Sequence, residues 1–507
     1  MQRSVEMQRS VDVHHGQGAP PLVYRASHAS TKSFPLQLRS LPPALRPLVR
    51  AYVLGYASAV APRLLTLVLQ HLSRARANGS SKCPPAEQEE RTFLESVAHI
   101  LRAGLQPQRF PTFCAVLVGG STLLQEPLRP IISRLADGLD GLVRQRITRW
   151  LASFIAAWLS LRLLHTSKPR LAAKGAGAGG QNTVSKFGGR TLDLTLFATT
   201  QAVDVIVGEL WSRRKARRTA AQKWTKGEQF VSNMIDPLSF VASCGLIMWA
   251  WFYAPDNLPR AYNKWITSAA HVDLRLIEAL RRCKSRELRY AEETGQAPLL
   301  GAMCVDFNLP YEWGNPVKVV PFPCDIVHMG RGPSCEVHAW HRFWLSWRWS
   351  MYTYLPLALA LQLRKPKRSS LLLALVSASR SSAFLATFIT LFYYGVCLGR
   401  TRVGPHLIGK DVPCRNRIDG GICVGVGCFL CGWSVLIETA SRRKDMALFV
   451  APRAMATLIP RQYPLEKQWR ERLAFAASTS VVLACAMENP RRVRGMMGGI
   501  LGLTLRQ

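Results

Sequence analysis

The sequence predicts an all-α, polytopic helical membrane protein built from two tandem repeats of about four to five apolar helices each. Three observations carry that prediction. Uncharged runs at 238–254, 383–399 and 420–437 have the length a helix needs to cross a hydrocarbon core of about 30 Å. Arginines stand beside many of the apolar runs, where their long stems can carry the charge out to lipid headgroups. Residues also recur at fixed offsets between the two halves. Arg190, Asp193, Leu196, Phe197 and Ala202 return 252 positions later as Arg442, Asp445, Leu448, Phe449 and Ala454. Phe240, Ala242, Ser243 and Pro255 return 235 positions later as Phe475, Ala477, Ser478 and Pro490. Arg109 and Phe113 match Arg380 and Phe384, and Pro62 pairs with Pro356. A soluble helical protein is the competing reading, but its core helices would be shorter and would keep a polar stripe.

The elements follow in order. Residues 1–40 open with a six-residue tandem duplication and carry scattered charge, as a disordered tail does. No secretory signal is visible there, and Glu6 and Asp12 interrupt a mitochondrial presequence. Residues 41–255 form the first repeat. Its apolar elements are 52–69, broken near Pro62, then 111–125, 150–161, 192–210 and 238–254, with an amphipathic helix at 93–105 and a Gly/Ala linker at 174–180. Residues 256–338 are a linker with an amphipathic helix at 265–289 and a Cys/His-rich segment at 324–338. Residues 339–490 form the second repeat, with apolar elements at 349–363, 381–399, 420–437, 446–460 and 473–487, and 491–507 is a basic tail.

The chain carries 66 Lys and Arg against 31 Asp and Glu, a net charge of +35 that needs an anionic partner. The basic runs at 213–218, 281–289 and 364–368 flank apolar segments and gather into no separate domain. They fit a bilayer with anionic headgroups and argue against nucleic acid. A homo-oligomer is a further open expectation. The thirteen cysteines are odd in number and several lie in apolar runs, which argues against a secreted disulfide scaffold. Gly395 and Gly399, Gly421 and Gly425, and then Gly427 place small residues along helix faces where backbones can approach closely. Asp204 and Arg453 fall within apolar elements and are the candidate pathway charges.

The chemistry-bearing stretch is Cys324-x3-His328-x6-Cys335-x2-His338. Two thiols and two imidazoles are the ligand set of a tetrahedral zinc site, yet the spacing matches no familiar finger; a disulfide or a merely structural role stays open. Cys428-x-x-Cys431 has redox spacing but lies in an uncharged Gly-rich run, where a thiolate is disfavoured. No phosphate-binding loop, hydrolase elbow or carboxylate pair stands out, so neither an enzyme nor a cofactor is expected.

Cys324, His328, Cys335 and the following Tyr354-Leu355-Pro356, together with RSSAFLATFITLFYYGVCLGRTR at 380–402 and RRKDMALFVAPR at 442–453, resemble the cysteine-rich region of the transmembrane protein 135 family in its fungal version. The resemblance covers residues 320–500 and reaches the first half only through the repeat. Met329 follows His328 where the family commonly has proline. The resemblance implies a peroxisomal or mitochondrial multi-pass membrane protein concerned with membrane dynamics, lipid metabolism or solute and lipid transport. It also implies distant similarity to inner-membrane translocase subunits, and no catalytic activity. The alternative is a non-transporting scaffold that recruits partners through its basic loops. If the fourth element of each half lies in the interface because of its charge, each half crosses four times and the repeats run parallel; five crossings would invert them.

Overall fold

The computed structural model describes residues 41–77, 93–166, 187–362 and 368–505. The tail at 1–40 and the Gly/Ala linker lie outside them. The described residues are helical, apart from one antiparallel pairing of Phe187–Gly188 with Tyr463–Pro464 and the turns between helices.

The first half supplies α1 (Arg46–Ala77), α2 (Phe93–Gly104), α3 (Phe110–Leu123), α4 (Gln125–Leu135), α5 (Gly141–His165), α6 (Leu192–Ala220) and α7 (Lys226–Tyr253). The central segment supplies α8 (Arg260–Ala270), α9 (Leu274–Ser285), α10 (Ala297–Asp306) and α11 (Cys324–Val327). The second half supplies α12 (Cys335–Gln362), α13 (Arg368–Cys397), α14 (Val403–Leu407), α15 (Val412–Arg417), α16 (Cys423–Cys431), α17 (Ala440–Leu458), α18 (Gln468–Glu488) and α19 (Gly495–Thr504).

Local chemistry sets the ends. Thr225 and Glu228 form a reciprocal capping box that starts α7. Asp273 accepts from the Arg275 backbone N–H at 2.9 Å and starts α9. The single helix expected over 265–289 is therefore two. His271 between them takes a left-handed φ of 47°, and its carbonyl accepts from Arg342 Nη1 at 2.9 Å, a bond that a continuous helix would preclude. The break expected near Pro62 is not seen either. Pro62 lies inside α1, where losing one backbone bond is tolerable in a helix of 32 residues. The basic C-terminal stretch contains α19, whose Leu501 is buried against Ala202, Val205 and Val482.

Among the described residues, five helical segments are long and apolar enough to cross a membrane: Pro43–Val68, Gly141–His165, Lys226–Tyr253, Ser369–Leu407 and Val412–Ile437. Large apolar side chains also face outward in number, including Leu371, Leu372, Leu373, Leu375 and Val376 on α13 and Val203, Ile206, Val207 and Leu210 on α6. Such faces suit a lipid surround.

The contacts fix each helix's direction. Gly119 abuts Leu48 while Gly55 abuts Pro111, so α3 runs antiparallel to α1. Phe113 meets Ala157 and Leu161 while Gly120 meets Ala156, so α5 reverses again. Arg146 pairs with Glu488 at 2.8 Å and Leu161 clusters with Phe475 and Ala476, setting α18 antiparallel to α5. Thr195 bonds Glu471 and Thr199 bonds Ser478, so α6 is parallel to α18. Asp193 meets Arg461 and Thr200 meets Met455, so α17 opposes α6. Phe240 packs with Ala447 and Asn257 bonds the Thr457 carbonyl, so α7 runs with α17. Gly432 meets Val241 and Gly421 meets Tyr253, so α16 opposes α7. Gly395 meets Gly427 and Gly399 meets Cys423, so α13 opposes α16. Trp349 packs near Leu385 while His338 meets Tyr393, so α12 opposes α13.

Traced through, α1, α5, α7, α13 and α17 point one way, and α2–α3, α6, α12, α16 and α18 point the other. Each half lends its last long helix to the other: α18 packs on α5 and α6, and α7 packs on α16 and α17.

Candidate functional site

The central segment has its own core, with Leu288, Leu300, Met303, Cys304 and Ile326 fully buried, and it lies against the junction of α13 with α16. At that junction both membrane-length segments leave α geometry. The chain makes a π-helical turn over Leu398–Arg402 after α13 and another over Ile418–Ile422 before α16. Gly421 allows the second, with a φ of 139° that residues with a Cβ rarely adopt. Arg400 lies in the first turn and Asp419 in the second.

Arg400 Nε donates to both Asp419 carboxylate oxygens, at 2.9 and 3.0 Å, and the two side chains are 4% and 3% exposed. Tyr290, brought in from the central segment, accepts from Arg400 Nη2 at 3.1 Å and donates its hydroxyl proton to Asp419. Burial, then the Asp419 charge, holds that hydroxyl protonated well beyond its ordinary range. Asn416 Oδ1 accepts from the Tyr290 backbone N–H at 2.9 Å, and Arg415 donates to the Arg400 carbonyl at 3.0 Å. Arg400 Nη1 has no partner among the described residues. A cavity of about 20 Å³ adjoins the triad, lined also by Leu276, Phe322 and Val396; that is room for about one water.

A second cluster lies one helical turn away. Cys324 opens α11, Cys335 opens α12, Cys397 ends α13 and His328 follows α11. The donor atoms of Cys324, His328 and Cys335 all lie within 4.8 Å of one another, with the two sulfurs 4.0 Å apart. Cys397 Sγ is 3.5 Å from His328 Nε2. His328 Nδ1 is 2.8 Å from the Gly332 carbonyl oxygen. Burial pushes the Cys324 thiol up to about 11 and pulls His328 below its usual range. Met329 has a φ of 58°, which proline's ring forbids. His338 does not join the donor atoms. Its ring stacks on His328 at 4.4 Å, and neither of its nitrogens has a partner among the described residues.

The other sequence candidates are scattered. Asp204 and Arg453 do not meet. Asp204 pairs with Arg494, which also reaches Asp236 at 3.3 Å, while Arg453 bonds the Phe449 carbonyl and lies over the Phe449 ring. Gly395, Gly399 and Gly427 line the contact of α13 with α16, Gly421 serves the π turn, and Gly425 lies in a roomier place beside Trp249. Cys428 and Cys431 are free, buried thiols, and Cys431 Sγ donates to the Cys428 carbonyl at 3.3 Å.

Sequence reasoning missed Arg400, Asp419, Tyr290 and Cys397. A signal was there for the ion pair: opposite charges stand at the facing ends of two successive apolar runs, Arg400 after Gly399 and Asp419 before Gly420. No family model, curated protein or solved structure matches the chain.

Proposed function

We propose that the chain is a multi-pass membrane protein of the transmembrane protein 135 type, built from two inverted five-helix repeats, that moves a solute or lipid across a peroxisomal or mitochondrial membrane. The repeat reading draws support from the fixed offsets and from a matching order of neighbours: α1 with α2–α3 and then α5 corresponds to α12 with α13 and then α16. Both α7 and α18 are followed by a short turn of helix that begins at proline, Pro255 and Pro490. Every such pair of helices points in opposite directions, which supports inverted repeats over the parallel arrangement that an interfacial fourth element would give. That expectation put Asp204 at the interface as a bare charge, whereas Arg494 neutralises it.

The observation that carries the transport reading is the buried Arg400–Asp419 pair at two adjoining helix breaks. Ionisable groups within membrane segments are costly and mark pathways, inverted repeats place binding sites at broken helices, and π turns concentrate at functional positions. An anionic group that reached Arg400 would replace Asp419 as its partner. The scaffold alternative draws on the solvent-facing basic end of α6, where Arg213, Arg214, Lys215 and Arg217 are exposed and suited to anionic headgroups or an acidic partner.

Proteoliposomes test the choice. Scrambling of a fluorescent phospholipid and efflux of small anions are measured for the natural chain and for Arg400→Gln with Asp419→Asn. Transport by the natural chain, slowed about tenfold or more in the double variant, is expected. Inserted protein that leaves both signals at the level of empty vesicles would hand the assignment to the scaffold.

A further inference from the structure

We propose that Cys324, Cys335, Cys397 and His328 form a structural zinc site that fastens the central segment to the end of α13. Zinc bonds of about 2.3 Å to sulfur and about 2.0–2.1 Å to nitrogen in a tetrahedron imply ligand separations near ~3.8 Å between sulfurs and ~3.5 Å between sulfur and nitrogen. The Cys324 and Cys335 sulfurs are 4.0 Å apart, and Cys397 Sγ is 3.5 Å from His328 Nε2. The donor atoms already within 4.8 Å of one another are those of Cys324, His328 and Cys335, and Cys397 Sγ, beside His328, completes the set by closing in on the bound metal.

The imidazole is set for the role. With Nδ1–H donating to the Gly332 carbonyl, Nε2 keeps its lone pair toward the thiol cluster, the outer hydrogen bond that orients metal-bound histidines. His338, buried with both nitrogens unpartnered, is stacked flat on that ring and packs it in place without entering the ligand set. Three thiols and one imidazole fill a four-coordinate shell and leave no open position, so the site is structural and not catalytic. A disulfide would use two of the three thiols and strand the third. On binding, the three thiol protons leave and three Zn–S bonds form, with no change in oxidation state.

The site is independent of any transport activity. It joins α11 and α12 to Cys397, three residues before Arg400, so it would also stiffen the turn that holds the ion pair.

The test uses the full chain, purified in detergent without chelator, with metal measured by mass spectrometry. About one zinc per chain is expected, falling to near none in Cys397→Ala and staying near one in His338→Gln and in His328→Cys, which restores a four-ligand set. Should Cys397→Ala fail to fold, the natural chain still answers. Stripping zinc with a membrane-permeant chelator should make Cys324, Cys335 and Cys397 together reactive to an alkylating agent, and adding zinc should protect all three. A metal-free natural chain, a Cys324–Cys335 disulfide in its peptide map, full zinc in Cys397→Ala, or loss of zinc from folded His338→Gln would overturn the proposal.

Discussion

Removing Arg400 alone would leave the Asp419 carboxylate buried with Tyr290 as its one remaining side-chain partner among the described residues. Breaking a buried pair from one side costs about 3–5 kcal/mol, whereas replacing both partners with apolar groups can be close to neutral. Arg400→Leu is therefore expected to lower the stability of the detergent-purified chain by that amount, and Arg400→Leu with Asp419→Leu by much less. Thermal unfolding of Arg400→Leu, Asp419→Leu and the double variant gives the coupling, and losses that simply add would show that the two charges do not act as a unit. At this scale the sequence was readable only where chemistry is local. Cys324, His328 and Cys335 lie within twelve consecutive positions and announce themselves by spacing. Cys397 is 69 positions from His328, and Tyr290 is 129 from Asp419. Nothing in a single chain says that residues so far apart will touch, and a cysteine in an apolar run reads as a small hydrophobe.

Glycines on one helix need not be equivalent. A Cβ on Gly427 would lie 2.7 Å from the Phe392 carbonyl oxygen, whereas one on Gly425 would find its nearest neighbour, Trp249, at 3.9 Å. Gly427→Ala is expected to destabilise by about 1–3 kcal/mol, since the α13 backbone cannot yield as a side chain can. Gly425→Ala is expected to be neutral or to gain up to about 1 kcal/mol from helix propensity. Melting temperatures of the two variants check this, and equal losses would contradict the close approach of α13 to α16. Helix existence was legible from apolar length. Helix continuity was not, because it turns on particular bonds: the Arg342 bond that favours two helices at His271, the context that tolerates Pro62, and the paired charges at the two π turns.

The offsets in the sequence carry the idea of a duplication, but direction depends on whether the fourth element of each half crosses, and composition alone weighs against that crossing without deciding it. Asp204 looked too costly for a crossing helix because its partner, Arg494, lies 290 residues away. Once paired, the charge no longer counts against a crossing by α6, and the inverted reading proposed above has α6 and α17 alternate in direction with their neighbours. That alternation makes a prediction about equivalent loops. The loop at residues 136–140 precedes α5 and the loop at residues 408–411 precedes the helices that lead to α16, and both have exposed positions at Gly138 and Lys410. The most direct measurement inserts one epitope after Gly138 or after Lys410 and reads antibody access in organelles before and after the membrane is permeabilised. Inverted repeats put the two epitopes on opposite faces of the membrane, one accessible at once and the other only after permeabilisation. Finding both on the same face would contradict the inverted arrangement, and with it the placing of the ion pair at the junction of two opposed halves.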